Sequence, residues 1–173
     1  ALPIYLWFKL LQNVNCDVDA VVKEFTDVQY GPAAPLVRNY LAELEEGREN
    51  MNPLPPKVTY RSYSFDERTF PYLTAENIHR WQQSFDKMEK LLEDQPEHAH
   101  NVRLLRRELD LATLWKWFDL KKTYPDDYTD HEVFLKRISA ANAAGSAAVK
   151  ARPFGVSAMR DFANIIRGGG KRK

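Results

Sequence analysis

The sequence predicts an all-α protein, an irregular bundle of six or seven helices with an αα-hairpin near its start. Apolar residues recur at steps of three and four along most of the chain, as helices require. Only seven glycines occur in 173 residues, too few for the tight turns of a β-sandwich or barrel. The segment 58–63 is β-branched and aromatic like a strand, but no second strand accompanies it.

Composition sets limits on function. Hydrophobic residues make up 44% of the chain and charged residues 28%, which is typical of a globular protein. Lys and Arg number 25 against 24 Asp and Glu, so no overall field indicates a nucleic-acid partner. The single cysteine, Cys16, excludes an internal disulfide and is interpreted as an ordinary thiol. No apolar run approaches the roughly 20 residues that span a bilayer.

The αα-hairpin is predicted between Asp17 and Glu46. Asp17 is suited to capping the first helix, and Gly31 can adopt the left-handed conformation just after that helix. Pro35 is suited to the first turn of the second helix. Helical spacing predicts inward-facing side chains in both helices: Val18, Val21, Val22, Phe25 and Val28 in the first, and Leu36, Val37, Tyr40, Leu41 and Leu44 in the second.

The first segment, Ile4 to Gln12, is apolar on every side except at Lys9. Such a helix is expected to be covered on every side. We therefore predict that the chain is the C-terminal part of a larger protein and that this helix packs against the missing part. Two alternatives remain open: a core helix of a free-standing domain, and a homodimer through Ile4, Trp7, Phe8 and Leu11.

Prolines, glycines and helix-capping residues mark where the remaining elements begin and end. We predict an ordered connecting loop, three long helices and one short helix, within a single helical domain over residues 1–167 and before a disordered tail, 168–173. The loop covers Gly47 to Phe70, and the helices cover Ala75 to Glu93 after a Thr74 cap, Ala99 to Lys122, Thr129 or Asp130 to Lys150, and Val156 to Ile166.

Each long helix carries an apolar stripe that predicts its buried face. The first stripe comprises Ile78, Trp81, Phe85, Met88 and Leu92, and the last comprises Phe134, Ile138 and Ala141. The middle stripe has two rows, Val102, Leu105, Leu109 and Ala112 beside Leu104, Leu111, Trp115 and Phe118, and is widened by Trp117 and Leu120.

No catalytic residue, cofactor or metal ion is predicted. A small metalloenzyme using His98, His100 and His131 is a rival hypothesis, but His-x-His spacing suits a strand better than a helix start. The acidic residues Asp126, Asp127, Asp130 and Glu132 precede a helix, where carboxylates cap free N–H groups. Helix capping is therefore the favoured interpretation of this cluster, over paired acid–base catalysis.

Three motifs in the first 46 residues resemble one bacterial family. They are Leu6-Trp7-Phe8-Lys9-Leu10-Leu11, the helix from Asp17 to Phe25, and Tyr30-Gly31-Pro32-Ala33-Ala34. Together they look like the glycoside-hydrolase-like proteins that carry the domain of unknown function 4838; the run from Arg103 to Leu109 is also similar. The chain departs from that pattern at residues 12–15, which lack a Trp and an Asx-Pro pair, and at Gln29.

The resemblance implies a C-terminal helical domain that packs against a TIM-type barrel in a secreted or periplasmic, carbohydrate-active protein. Catalytic carboxylates would then belong to the barrel, which would also bind the polysaccharide. Trp7, Lys9 and Tyr30 match motif positions near the barrel junction, and the resemblance implies that they order the junction or border the substrate cleft. A free-standing helical protein–protein interaction module is the alternative.

Overall fold

The computed structural model describes residues 2–50 and 70–148, and within these ranges the protein is helical and contains no strand. This confirms the all-α bundle with an N-terminal helix pair. The helices are α1 (Leu2–Gln12), α2 (Val18–Tyr30), a 3₁₀ turn (Gly31–Ala33), α3 (Ala34–Glu49), α4 (Ala75–Leu91), α5 (Pro96–Trp115), α6 (Trp117–Thr123) and α7 (Glu132–Ala148).

The hairpin of α2 and α3 forms as its local signals predict. Asp17 caps α2, since its Oδ1 accepts a hydrogen bond of 3.1 Å from the backbone N–H of Ala20. Gly31 has a φ of 51°, a conformation that favours glycine. Pro35 lies in the first turn of α3, which continues to Glu49. Residues 47–49, predicted as the start of a loop, are therefore helical.

The buried face of α2 differs from the predicted one. Val21 and Phe25 are buried as expected, but Val18 and Val28 are exposed, so the prediction for these two was wrong. Thr26 is fully buried instead. Its hydroxyl donates to the Val22 carbonyl at 2.8 Å and accepts from Arg38 at 2.7 Å, and a polar group that is so paired can be buried at little cost.

Arg38 is partly buried because it joins the two hairpin helices. Its guanidinium donates to the Thr26 hydroxyl and, at 2.5 Å, to the carboxylate of Asp27. Asp27 also pairs with Lys23, and the two cations lower the pKa of the Asp27 carboxyl. The hairpin is thus stabilised by polar contacts as well as by apolar burial.

Helix α4 matches its prediction closely. The hydroxyl of Thr74 accepts from the backbone N–H of Asn77 at 3.1 Å, which confirms the predicted cap. The whole predicted stripe is at most 3% exposed: Ile78, Trp81, Phe85, Met88 and Leu92. The stripe of α7 is also confirmed, since Phe134, Ile138 and Ala141 are buried.

The helix predicted from Ala99 to Lys122 is in fact two helices. Lys116 leaves helical geometry at φ −94° and ψ 16°, and α6 begins at the next residue. The break ends the helical phase of the predicted row, so Phe118 is 52% exposed where burial was expected. Trp117 and Leu120, which were also predicted to lie on the stripe, are buried as expected.

The described residues form two compact units. The first contains residues 2–50 and 83–102, and its core includes Val37 and an edge-to-face contact between the rings of Tyr40 and Phe85. The second contains residues 70–82 and 103–148, and its core includes Trp117. Helices α4 and α5 contribute residues to both units. The predictions for residues 51–69 and 149–173, including the last helix and the tail, lie outside the described residues.

Candidate functional site

Helix α1 carries an exposed apolar surface. No residue of this helix is buried. Four large apolar side chains, which we call the α1 stripe, are 58–66% exposed: Ile4, Trp7, Phe8 and Leu11. Their spacing of i, i+3, i+4 and i+7 places them on one helix face, and this is the pattern by which amphipathic helices bind partner surfaces. The α1 stripe is the candidate functional site of the first unit.

Another face of α1 attaches the helix to α2 through a single carboxylate. The Tyr5 hydroxyl donates to Glu24 Oε1 at 2.9 Å, and Lys9 Nζ lies 3.2 and 3.3 Å from the two Glu24 oxygens. The Tyr5 ring also lies 5.3 Å from the ring of Phe25, and Lys9 Nζ lies 5.2 Å from the centre of the Tyr5 ring. Glu24 therefore accepts both polar contacts that these two α1 side chains make to α2.

The electrostatics of this attachment keep both partners charged over a wide pH range. Hydrogen bonds from Tyr5 and Lys9 lower the pKa of the Glu24 carboxyl. Hydrogen bonding to Tyr5 and Glu24 raises the pKa of the Lys9 amine. The groups are solvent-exposed, so water screens the pair and its contribution to stability is small.

The three residues implied by the resemblance occupy different environments. Trp7 is 65% exposed in the α1 stripe. Lys9 is two positions along the same helix, so it points to another face, where it is paired with Glu24. Tyr30 is partly buried at the end of α2, and this burial raises the pKa of its phenol. Their roles at a barrel junction or substrate cleft stay predictions.

His98 has a structural role at the hairpin turn. Its Nδ1 lies 3.1 Å from the carbonyl oxygen of Gln29, and the Asn101 amide donates to the same oxygen at 2.9 Å. A Cβ atom on Gly31 would lie 2.7 Å from the His98 ring, so the turn requires glycine both for its positive φ and for this close approach. Sequence reasoning missed this contact because the residues are about 70 positions apart.

The three histidines of the rival hypothesis are divided between the two units. His98 and His100 belong to the first unit, where His100 is exposed, and His131 belongs to the second. No group of three His, Cys, Asp or Glu residues in the described part of the chain is arranged to hold a metal ion. His131 Nε2 is buried beside Trp117 and lies 3.6 Å from a Glu132 oxygen, beyond hydrogen-bond distance.

The acidic cluster before α7 is at the surface. Asp126, Asp127 and Asp130 are exposed, and the Asp130 carboxylate accepts from the backbone N–H of Glu132 at 2.9 Å. Asp127 lies 3.8 Å from the Nε2 of His79, whose ring stacks on that of Tyr124. The exposure of these carboxylates and the Asp130 contact agree with helix capping.

A buried polar network occupies the second unit. Asp110 is 1% exposed, and its carboxylate accepts from Arg137 at 2.6 and 3.0 Å and from Gln82 at 2.9 Å. The Gln82 amide oxygen in turn accepts from Arg106 at 2.6 Å, and its nitrogen also donates to the Thr113 hydroxyl at 2.8 Å. Because Asp110 and Gln82 are saturated with internal partners, the network is suited to fixing helices rather than to reacting with a substrate.

The second unit also has an open cleft of about 540 Å³. Two of its charged side chains, Lys116 and Asp119, pair with each other at 3.3 Å. None of the described residues that line it has a buried side-chain polar atom without a hydrogen-bond partner. Its lining residues are Phe70, Pro71, Leu73, Thr74, Ala75, Glu76, Lys116, Asp119, Lys122 and Thr123.

None of the described helices has both the length and the apolar composition needed to cross a bilayer. Comparisons with protein-family models, with curated proteins and with solved structures found no match. The α1 stripe is therefore the feature on which a functional proposal depends.

Proposed function

We propose that this chain is a non-catalytic helical domain that docks onto a neighbouring folded domain through the α1 stripe. The observation that carries the proposal is the exposure of Ile4, Trp7, Phe8 and Leu11 on one face of a helix that buries no residue. Four such side chains expose roughly 500 Å² of apolar surface, as much as the largest patch on a typical monomer, and patches of this size commonly mark interaction sites.

The proposed neighbour is the TIM-type barrel of a carbohydrate-active protein. The support for this choice is the resemblance of residues 6–11, 17–25 and 30–34 to the helical region of glycoside-hydrolase-like proteins. In this proposal Trp7 inserts into the junction, whereas Lys9 and Tyr30 order the hairpin that presents α1. Sugar binding and catalysis then belong to the barrel, and Trp7, Lys9 and Tyr30 border its cleft without taking part in the reaction.

Two measurements test the proposal. The coding sequence that precedes Ala1 is expected to encode several hundred residues of alternating strands and helices; a stop codon or an unrelated fold there would contradict the assignment to a barrel. In the longer protein, Trp7→Asp is expected to expose the junction to limited proteolysis, because it places a charge in an apolar interface. Val28→Asp is the matched control, since Val28 is 66% exposed and Trp7 is 65% exposed, but Val28 lies on α2.

A free-standing interaction module is the second candidate function. The same exposed stripe favours it, together with the absence of charge on that stripe. The two candidates differ in what covers α1: a domain of the same protein in the first, and a separate molecule in the second.

A further inference from the structure

The order of side chains in the α1 stripe is symmetric. Reading along the helix it is aliphatic, aromatic, aromatic, aliphatic, at positions 4, 7, 8 and 11. The midpoint falls between Trp7 and Phe8, with Ile4 and Leu11 at equal distances from it. All four side chains have similar exposures, from 58% to 66%.

This symmetry makes the stripe complementary to itself. If two α1 helices pack antiparallel about a two-fold axis through the midpoint, Ile4 of each copy lies against Leu11 of the other. The aromatic pair of one copy then meets the aromatic pair of the other at the centre of the contact. An isologous interface requires a surface patch of this kind, in which the same residues serve both sides.

The distribution of charge also allows two copies to approach. Lys9 is the only charged residue of α1, and Glu24 of the same molecule holds it away from the stripe. Two copies would therefore bring no like charges into contact at the centre of the interface. Because the stripe carries no charge, a charged peptide would gain no electrostatic attraction from it. This favours a second copy of the chain over a charged peptide.

The exposed area places the contact at the small end of specific interfaces. The stripe offers roughly 500 Å² per copy, so a pair buries on the order of 1,000 Å², the lower limit for a specific interface. A weak dimer is expected, with a dissociation constant of the order of tens of micromolar.

We propose that the α1 stripe pairs with the α1 stripe of a second copy of this chain, antiparallel and about a two-fold axis between Trp7 and Phe8. The inference rests on the docking role given to this face under the proposed function. It adds that self-pairing and docking on a neighbouring domain compete for the same four side chains. Self-pairing is therefore the state of the chain when that domain is absent.

Sedimentation velocity of the 173-residue chain over a range of concentrations tests the pairing. The chain is expected to pass from monomer to dimer as its concentration crosses the tens-of-micromolar range. Trp7→Asp is expected to raise the dissociation constant of the dimer at least tenfold. Val28→Asp should leave it unchanged. A chain that stays monomeric up to about 1 mM, or a dimer that Val28→Asp disrupts as strongly as Trp7→Asp, would overturn the inference.

Cross-linking tests the antiparallel arrangement. In a Cys16→Ser background, chains with Ile4→Cys and chains with Leu11→Cys are mixed and treated with a short bismaleimide. Antiparallel pairing predicts cross-links mainly between the two kinds of chain. Cross-links within each kind would mean parallel pairing and would overturn the proposed geometry. Failure here is distinct from failure of the proposed function, because a monomeric chain whose Trp7 is covered in the longer protein refutes only the self-pairing.

Discussion

Helix α1 is almost wholly apolar and buries none of its residues, whereas α5 carries many charged residues and buries Arg106 and Asp110. The polar groups of α5 are buried because α4 and α7 supply partners, namely Gln82 and Arg137. The apolar groups of α1 are exposed because its packing on α2 uses other side chains, Tyr5 and Lys9. The comparison teaches that neighbouring elements, and not the hydropathy of a helix, decide which of its side chains are covered.

Trp81→Ala and Trp7→Ala test this comparison with the same substitution at both extremes of exposure. Trp81 is 3% exposed and Trp7 is 65% exposed. Removing the buried indole leaves a cavity and is expected to lower the free energy of unfolding by about 4 kcal/mol. Removing the exposed one is expected to change it by less than about 0.5 kcal/mol. Urea denaturation measures both, and a loss above about 2 kcal/mol for Trp7→Ala would show that α1 belongs to a core.

Asp110→Asn tests whether the buried charges of α5 depend on their partners. The substitution keeps the shape of the side chain but leaves the Arg137 guanidinium without its counter-ion. Breaking a buried pair in this way is expected to cost about 3 kcal/mol. Asp119→Asn is the control, because the Asp119 side chain, which pairs with Lys116, is 59% exposed. This substitution is expected to change stability by about 0–1 kcal/mol. Equal effects of the two substitutions in urea denaturation would contradict the structural role of the network.

Gly31→Ala tests the contact that fixes the hairpin beneath α1. Alanine is strained at a φ of 51°, and its Cβ would meet the His98 ring at 2.7 Å. The expected loss of stability is about 2 kcal/mol. Gly47→Ala is expected to raise stability instead, because Gly47 lies within α3, where alanine is the better helix former by about 0.5–1 kcal/mol. Thermal unfolding that shifts in the same direction for both variants would contradict this reading of the turn.

Glu24→Gln has the smallest expected effect and addresses the attachment of α1 directly. The folded-state pKa of Glu24 is depressed, so its contribution is present above the ordinary value of 4.5 and is lost as pH falls through the folded value. The pKa of Lys9 is raised, so its contribution is present below 10.5 and is lost as pH rises through the folded value. Between these limits the attachment is constant with pH.

Hydrogen exchange of the α1 amides measures this effect. At neutral pH, Glu24→Gln is expected to reduce their protection factors by a few-fold, because only a screened surface contact is lost. The wild-type protection should fall below pH 4.5, and the variant should lack that step. Exchange in α3 serves as the internal control. An acid step that persists unchanged in the variant would assign the pH dependence to another group.

The features that were predicted from the sequence are local ones. The cap at Asp17, the glycine at 31 and the stripe of α4 each depend on residues within a few positions of one another. The residues of the α1 stripe were also identified, and their coverage by another part of the protein or by a second copy stays a prediction.

The features that were missed depend on distant contacts. Arg106 and Asp110 are polar, and the partners that make their burial possible, Gln82 and Arg137, are more than 20 positions away. The side chain of Phe118 is exposed because the helix breaks at Lys116, where no proline or glycine predicts a break. His98 likewise contacts a turn formed by residues about 70 positions earlier. Periodicity carries no information about such pairings.

Hydroxyl-radical footprinting of the tryptophans tests the central claim, that the α1 stripe is a docking surface. It is applied to the dilute 173-residue chain and to the longer, barrel-containing protein that the proposed function predicts. In the dilute chain, Trp7 is expected to be oxidised readily while Trp81 and Trp117, each 3% exposed, are protected. In the longer protein, Trp7 should become as protected as Trp81. Equal and rapid oxidation of Trp7 in both samples would contradict the claim.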